Sequence, residues 1–207
     1  MNNFGKLKLY KTKPTIIAEV GVNHECDLKK AYKLISHAKK CGVEAVKFQT
    51  YKASELAIKD SPAYWDLNKE KTTTQRSLFE KYDKFDDKEF RSLYLNCRKK
   101  KITFMSTLFS VDLVNKFAKL LPVLKIASAD ITNVPLLRAI SLQKKPILLS
   151  TGASSEDEIK FALKVLDLPK KQVCIMHCVL NYPTKNENAN LNFISKLKKK
   201  FPKYIIG

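Results

Sequence analysis

Strand-like apolar stretches, each followed by a stretch with helical spacing, predict an α/β fold with a parallel sheet and helices outside it. Polar residues gather where nearly every strand ends: Glu19, Gln49, Ser106 and Thr107, Ser128 to Asp130, Ser150 and Thr151, Asn181 and Tyr182. In a closed barrel those ends converge on one mouth, where such folds do their chemistry; in an open sheet they spread along an edge. No Gly-x-Gly-x-x-Gly turn follows any strand, which argues against an open dinucleotide-binding sheet. The expected architecture is a (β/α)8 TIM barrel, and an incomplete one. The 207 residues supply about six βα units and the start of a seventh strand, whereas a full barrel takes about 250 residues.

Taken in order, Phe4 to Lys13 reads as a short ribbon, with Leu7 and Leu9 alternating against lysines. Pro14 opens a strand from Thr15 to Val20. Asp27 is placed to cap a helix running to Lys40, with Leu28, Ala31, Leu34, Ile35 and Ala38 on one face. Cys41 and Gly42 end it, and Val43 to Thr50 is the second strand. Tyr51 to Thr74 is long and mixed, the kind of loop that serves as a functional lid. A short helix from Gln75 to Tyr82 and a longer one from Asp86 or Asp87 to Lys99 follow. The remaining units are strand Ile102 to Ser106 with helix Val111 to Leu120, strand Val123 to Ala127 with helix Val134 to Gln143, strand Pro146 to Ser150 with helix Ser155 to Leu166, and strand Gln172 to Cys178 with helix Leu191 to Lys200. Lys203 to Ile206 begins the seventh strand.

Composition narrows the class. With 44% hydrophobic and 29% charged residues the chain is globular. No stretch reaches the length of a membrane span, and the N-terminus lacks the apolar core of a signal peptide. Five scattered cysteines without a Cys-x-x-Cys pair point to reduced, cytoplasmic usage. The net charge of +19 resembles that of a nucleic-acid binder. Its distribution does not: the lysine clusters fall at helix ends and loops along the whole chain, without interleaved aromatics. A solvated lysine-rich surface that attracts anionic metabolites is the expectation, with no nucleic-acid or membrane partner.

Two strands carry a lysine in an otherwise apolar run. In Glu44 to Thr50, Lys47 and Gln49 share a face with Ala45, while Val46 and Phe48 take the other. In Val123 to Ala127 the lysine is Lys125, and the strand leaves through Ser128, Asp130, Thr132 and Asn133. A buried ammonium is costly unless an anion meets it. Both lysines are therefore expected to face one small, multiply charged anion.

Six motifs in order carry a resemblance: Ile17 to His24 (IAEVGVNH), Val46 to Thr50 (VKFQT), Ser106-Thr107, Lys125 to Asp130 (KIASAD), Leu149 to Gly152 (LSTG) and His177 to Thr184 (HCVLNYPT). Together the chain resembles the catalytic barrel of the N-acetylneuraminate (sialic acid) synthase family over nearly its whole length. The resemblance implies condensation of phosphoenolpyruvate with an N-acylhexosamine such as N-acetylmannosamine, giving a nine-carbon 2-keto sugar acid and phosphate. It implies Lys47 and Lys125 as the anion cradle, Gln49, Thr107, Ser128 and Ser150 as hydrogen-bonding groups, Glu19 and Asp130 as carboxylates at the reacting centre, and Tyr182 beside the sugar. It also implies a divalent metal, Mn²⁺ or Mg²⁺, that polarises the sugar aldehyde, and a homodimer.

The chain departs from that pattern at Cys26, where a glycine is usual, and at Leu108, Ala153 and Lys185. The family's metal-binding histidines, its last barrel units and its antifreeze-like C-terminal domain would lie beyond Gly207. A chain of residues 1–207 is thus expected to be a partial synthase domain with no metal ligands of its own and little activity alone, needing a completing segment. The alternatives are a phosphoenolpyruvate-dependent 3-deoxy-sugar-phosphate synthase and a catalytically dead fragment. His177 and the pair Cys174 and Cys178 read as structural residues.

Overall fold

The computed structural model describes residues 2–10 and 12–207. The chain forms two compact units, residues 1–113 and 114–207.

The first unit opens with an antiparallel ribbon of β1 (Asn2–Phe4) and β2 (Leu7–Leu9), which buries Phe4 and Leu7. Three parallel strands follow: β3 (Ile17–Gly21), β4 (Ala45–Thr50) and β5 (Thr103–Leu108), neighbours in that order. Between β3 and β4 lies α1 (Leu28–Lys40). Asp27 caps it, accepting the Lys29 and Lys30 N–H groups at 2.7 and 3.2 Å. Its buried residues Ala31 and Ile35 lie one turn apart, and His37, Lys39 and Lys40 meet the negative end of its dipole.

Residues 51–74, expected as a loop, contain a one-turn helix, α2 (Ala53–Leu56), and an antiparallel bridge between Pro62 and Thr74. The Asp83 carboxylate accepts the Ala53 N–H at 2.8 Å and pairs with Lys52 at 3.0 Å, which explains a helix with no cap of its own. Next come α3 (Gln75–Lys81) and α4 (Asp87–Lys99). Asp86 and Glu89 close a capping box at the start of α4, and Phe90, Leu93 and Cys97 form its buried stripe.

α5 (Val111–Phe117) leads into the second unit and tightens to a 3-10 turn over Ala118–Leu120. The Lys145 ammonium closes that turn, donating to the Ala118, Leu121 and Lys119 carbonyls at 2.6, 2.8 and 3.3 Å. The Ala118 carbonyl also accepts the Leu121 N–H at 3.1 Å, so the ammonium adds to the turn's own bond there. The unit's parallel strands are β6 (Leu124–Ile126), β7 (Ile147–Ser150), β8 (Val173–Met176) and β9 (Ile205–Ile206), again neighbours in chain order. α6 (Val134–Ser141) joins β6 to β7, α7 (Glu156–Leu166) joins β7 to β8, and α8 (Phe193–Lys200) joins β8 to β9. Every residue of β7 is buried, as a strand covered on both faces requires. Repeated βα units with parallel strands in chain order are the architecture of a TIM barrel left incomplete, as expected.

Most boundaries shift by a residue or two, and three of the differences bear on the site. β5 runs on to Leu108, so Ser106 and Thr107 lie within the strand. β6 is only three residues long, because a 3-10 turn over Ser128–Asp130 takes over its backbone: Asp130 N–H bonds the Ala127 carbonyl at 3.1 Å. β8 stops at Met176, so Cys178, expected within the strand, stands in the following loop. No helix among the described residues is long and apolar enough to cross a membrane.

Candidate active site

In the first unit the site is built at the C-terminal ends of β3, β4 and β5. Glu19 stands directly across from Lys47 in the β3–β4 register, and their side chains form an ion pair at 2.5 Å. The register then shifts between Glu19 and Gly21, a bulge of the kind that re-aims a side chain at a functional rim. Gly21 takes φ +54, and a Cβ there would stand 3.3 Å from Glu19 Oε1. A side chain at 21 would thus crowd the carboxylate as well as strain the backbone. Lys47 is 14% exposed at its side chain, against 46% for Glu19. It also donates to Thr107 Oγ1 at 3.4 Å, a long bond. Gln49, two residues on, is exposed and lies opposite Thr107 in the register. Glu19, Lys47, Gln49 and Thr107, which the resemblance names, thus lie on adjacent strand ends, and Thr107 is buried within its strand.

The first loop is ordered by a residue whose role the sequence left open. His24 is buried and stacks on Phe85 with ring centroids 4.5 Å apart. Its Nδ1 accepts the Cys26 N–H at 3.0 Å. Cys26 itself has φ 59, which accounts for a glycine being usual at that place. Burial, aided by the nearby Lys30 charge, lowers the His24 pKa to about 4. The folded state thus holds His24 neutral where the unfolded chain, near 6.5, takes up a proton. Stability must rise with pH through that window and fall as the pH drops from 6.5 towards 4, by about 3 kcal/mol. Urea unfolding at about pH 7.5 and about pH 4 measures this fall, and His24→Phe is expected to flatten it.

In the second unit the site lies at the ends of β6 and β7 and in the loops beyond. Lys125 Nζ donates to Ser150 Oγ at 2.6 Å and to its neighbour's carbonyl, Ile126 O, at 2.7 Å. Ser150 is the last residue of β7 and is 5% exposed. It is further touched by Cys178 Sγ at 3.2 Å. Ser128, at the start of the 3-10 turn, accepts the Gly152 N–H at 2.9 Å. Asp130, on the same turn, has its pKa raised by burial, opposed by a hydrogen bond from Asn133 and by the Lys125 charge. Tyr182 is 76% exposed, in the loop after β8.

Gly152 is the packing pivot of this cluster. A Cβ there would stand 3.0 Å from Ser128 Oγ, 3.2 Å from the Cys178 carbonyl and 3.3 Å from Cys178 Cβ. One contact is backbone, so the crowding cannot be relieved by a rotamer change. Gly152→Ala is expected to cost about 1–3 kcal/mol of stability, read as a lower thermal midpoint. The resemblance missed Cys178 and Gly152 as site residues. The only hint was their place beside Ser150 and Asn181 in two motifs. Among the described residues, no three His, Cys, Asp or Glu side chains come together to hold a metal ion.

Comparison with known proteins adds to this geometry. The family model described as "NeuB family" matches residues 34–207. The chain is 39% identical over 196 residues to the uncharacterized protein MJ1065 of Methanocaldococcus jannaschii, covering 92% of this chain and 54% of that one. It is 38% identical over 200 residues to the N,N'-diacetyllegionaminic acid synthase of Campylobacter jejuni, covering 91% of this chain and 58% of that one. Among solved structures, the N-acetylneuraminic acid (sialic acid) synthetase of Leptospira borgpetersenii, in complex with citrate, superposes with a TM-score of 0.81 at 35% identity. That match covers 93% of this chain and 63% of the solved one. The chain thus spans little more than half the length of these curated relatives.

Proposed function

The chain belongs to the NeuB family, and on that footing we propose that it carries the phosphoenolpyruvate-gripping part of a synthase that joins phosphoenolpyruvate to an N-acylhexosamine. The observation that carries the reading is the Lys125–Ser150 contact at 2.6 Å. It is a partly buried ammonium at the C-terminal rim of a parallel sheet, with hydroxyl groups beside it. The nearby Asp130 carboxyl feels its charge, and an ammonium donates only, so a bound anion would meet it as a further acceptor. The citrate held by the Leptospira relative, a multiply charged carboxylate, is in keeping with this.

In the proposed reaction, carbon 3 of phosphoenolpyruvate attacks the sugar aldehyde and the aldehyde oxygen takes up a proton. Water adds to carbon 2, and phosphate then leaves with the bridging oxygen, which gives the 2-keto acid. Lys125, Ser150 and Ser128 hold anionic oxygens of phosphoenolpyruvate through charge-assisted hydrogen bonds. Lys47 and Thr107 supply a second cationic cluster, with Gln49 as a neutral donor. Glu19 exchanges the proton of the attacking water, its carboxylate held by Lys47 at 2.5 Å. Asp130, whose pKa burial raises, is assigned to the aldehyde oxygen. Tyr182, exposed, is assigned to the sugar side. A cytoplasmic setting is part of the proposal, in keeping with five cysteines none of which is in a disulfide.

Because the chain spans little more than half of its relatives, its own turnover is proposed to be small and substrate binding its clearer readout. Turnover is tested with phosphoenolpyruvate carrying ¹⁸O at the bridging position, together with N-acetylmannosamine and Mn²⁺, the metal that the resemblance implies. The expected result is phosphate that carries the label and appears only when the sugar is present. Label retained in the keto acid, or phosphate release without sugar, contradicts the reading.

A further inference from the structure

We propose that Cys178 is a positioning residue for the anion cluster of the second unit: its thiol donates to Ser150 Oγ and thereby turns the serine hydroxyl into a donor for bound anionic oxygen. The inference rests on the reading that this cluster holds phosphoenolpyruvate.

The argument is one of donor and acceptor counting. A serine hydroxyl has one hydrogen and two lone pairs. Lys125, an ammonium with donors only, fills one lone pair at 2.6 Å. Cys178 Sγ lies 3.2 Å from the same oxygen, within reach for a sulfur hydrogen bond. If the thiol donates, both lone pairs are taken and the serine hydrogen must point elsewhere. An anion offers only acceptors, so this is the state of Ser150 that binds one. Were the serine instead to donate to sulfur, it would present a lone pair to the incoming oxyanion and repel it. The ammonium further polarises the hydroxyl and strengthens the bond it gives.

The neighbourhood is built to hold Cys178 in place. Its carbonyl oxygen and Cβ stand 3.2 and 3.3 Å from where a Cβ on residue 152 would be, so only glycine lets the loop after β8 approach so closely. The same Gly152 donates its N–H to Ser128. Cys178 therefore ties the loop after β8 to the end of β7, beside the turn that follows β6.

The test combines binding and chemistry, with the thermal midpoint of each variant checked first. Cys178→Ala is expected to weaken phosphoenolpyruvate binding about tenfold. Cys178→Ser keeps a donor and is expected to stay within about threefold of the parent. Added to Ser150→Ala, the Cys178→Ala change is expected to do nothing further, since its effect passes through the serine. Unaltered binding in Cys178→Ala, or an equal loss in the Ser150→Ala background, overturns the proposal in favour of plain packing. A second readout needs no substrate: iodoacetamide labelling of Cys178, followed by peptide mass mapping. Ser150→Ala is expected to raise its rate several-fold by releasing the thiol, and an unchanged rate overturns the hydrogen bond. If the parent chain binds no phosphoenolpyruvate, the proposed function fails, while the labelling still decides the Cys178–Ser150 link.

Discussion

Lys125→Met is expected to weaken phosphoenolpyruvate binding by at least about 100-fold, with the fold intact. Removing one partner of a buried, hydrogen-bonded charge pair costs about 2–5 kcal/mol, and 100-fold is near the lower end of that range. Lys125 meets Ser150 Oγ at 2.6 Å, so its loss also frees the serine to turn away. Methionine fills the stem's volume and removes a charge that is costly to bury, so stability should not fall. Lys125→Arg is not expected to restore binding: the planar guanidinium is wider than an ammonium and cannot sit at one point between Ser150 Oγ and Ile126 O. Calorimetric titration of the three proteins checks both statements. An affinity in Lys125→Met within threefold of the parent removes this lysine from the site.

Glu19→Gln is expected to separate binding from chemistry. Turnover should fall by about 10²–10⁴-fold, the range for loss of a general acid or base. Phosphoenolpyruvate binding should instead tighten, by about 3–10-fold. Without substrate, the Glu19 carboxylate occupies the Lys47 ammonium at 2.5 Å. Glutamine leaves that ammonium to the incoming anion and removes a negative charge from its path. The gain is kept modest because Glu19 is 46% exposed and its pairing is screened by solvent. Single-turnover phosphate release and a titration of the same preparation give the two numbers. A variant that loses affinity as well as turnover would show Glu19 to be a binding group and not a competitor for Lys47.

The fold was legible because its signals are periodic. Buried parallel strands such as Ile147 to Ser150 read as apolar runs, and helices announce themselves through Asp27, Asp86 and Ser155 at their caps. Strand ends were less legible, because local turns compete with the ladder. Ser128 to Asp130 leave β6 for a 3-10 turn, which no periodicity reports. Within the site, period-two alternation gave a shared face for Lys47 and Gln49, and the apolar run around Lys125 marked it as a buried cation, whereas Glu19, Thr107 and Ser150 were named by the family resemblance. The roles of the loop residues His24 and Cys178 could not be read. His24 needed Phe85, sixty-one positions on, to be recognised as a buried neutral base. Cys178 needed the contact with Ser150, twenty-eight positions back. The short α2 was missed for a similar reason, since its cap, Asp83, comes thirty residues later.

With a net charge of +19, weak and diffuse attraction of any anion by the lysine-rich surface is the background against which a built site must stand out. The deciding measurement is a titration of the chain with phosphoenolpyruvate, pyruvate and inorganic phosphate in parallel, at low salt and at 0.3 M potassium chloride, a concentration chosen to screen surface charge to within about 6 Å. The account predicts saturable one-to-one binding of phosphoenolpyruvate, more than about tenfold tighter than either of its halves and largely preserved in salt. Three ligands that bind alike, with affinities that vanish together as salt is raised, would contradict it.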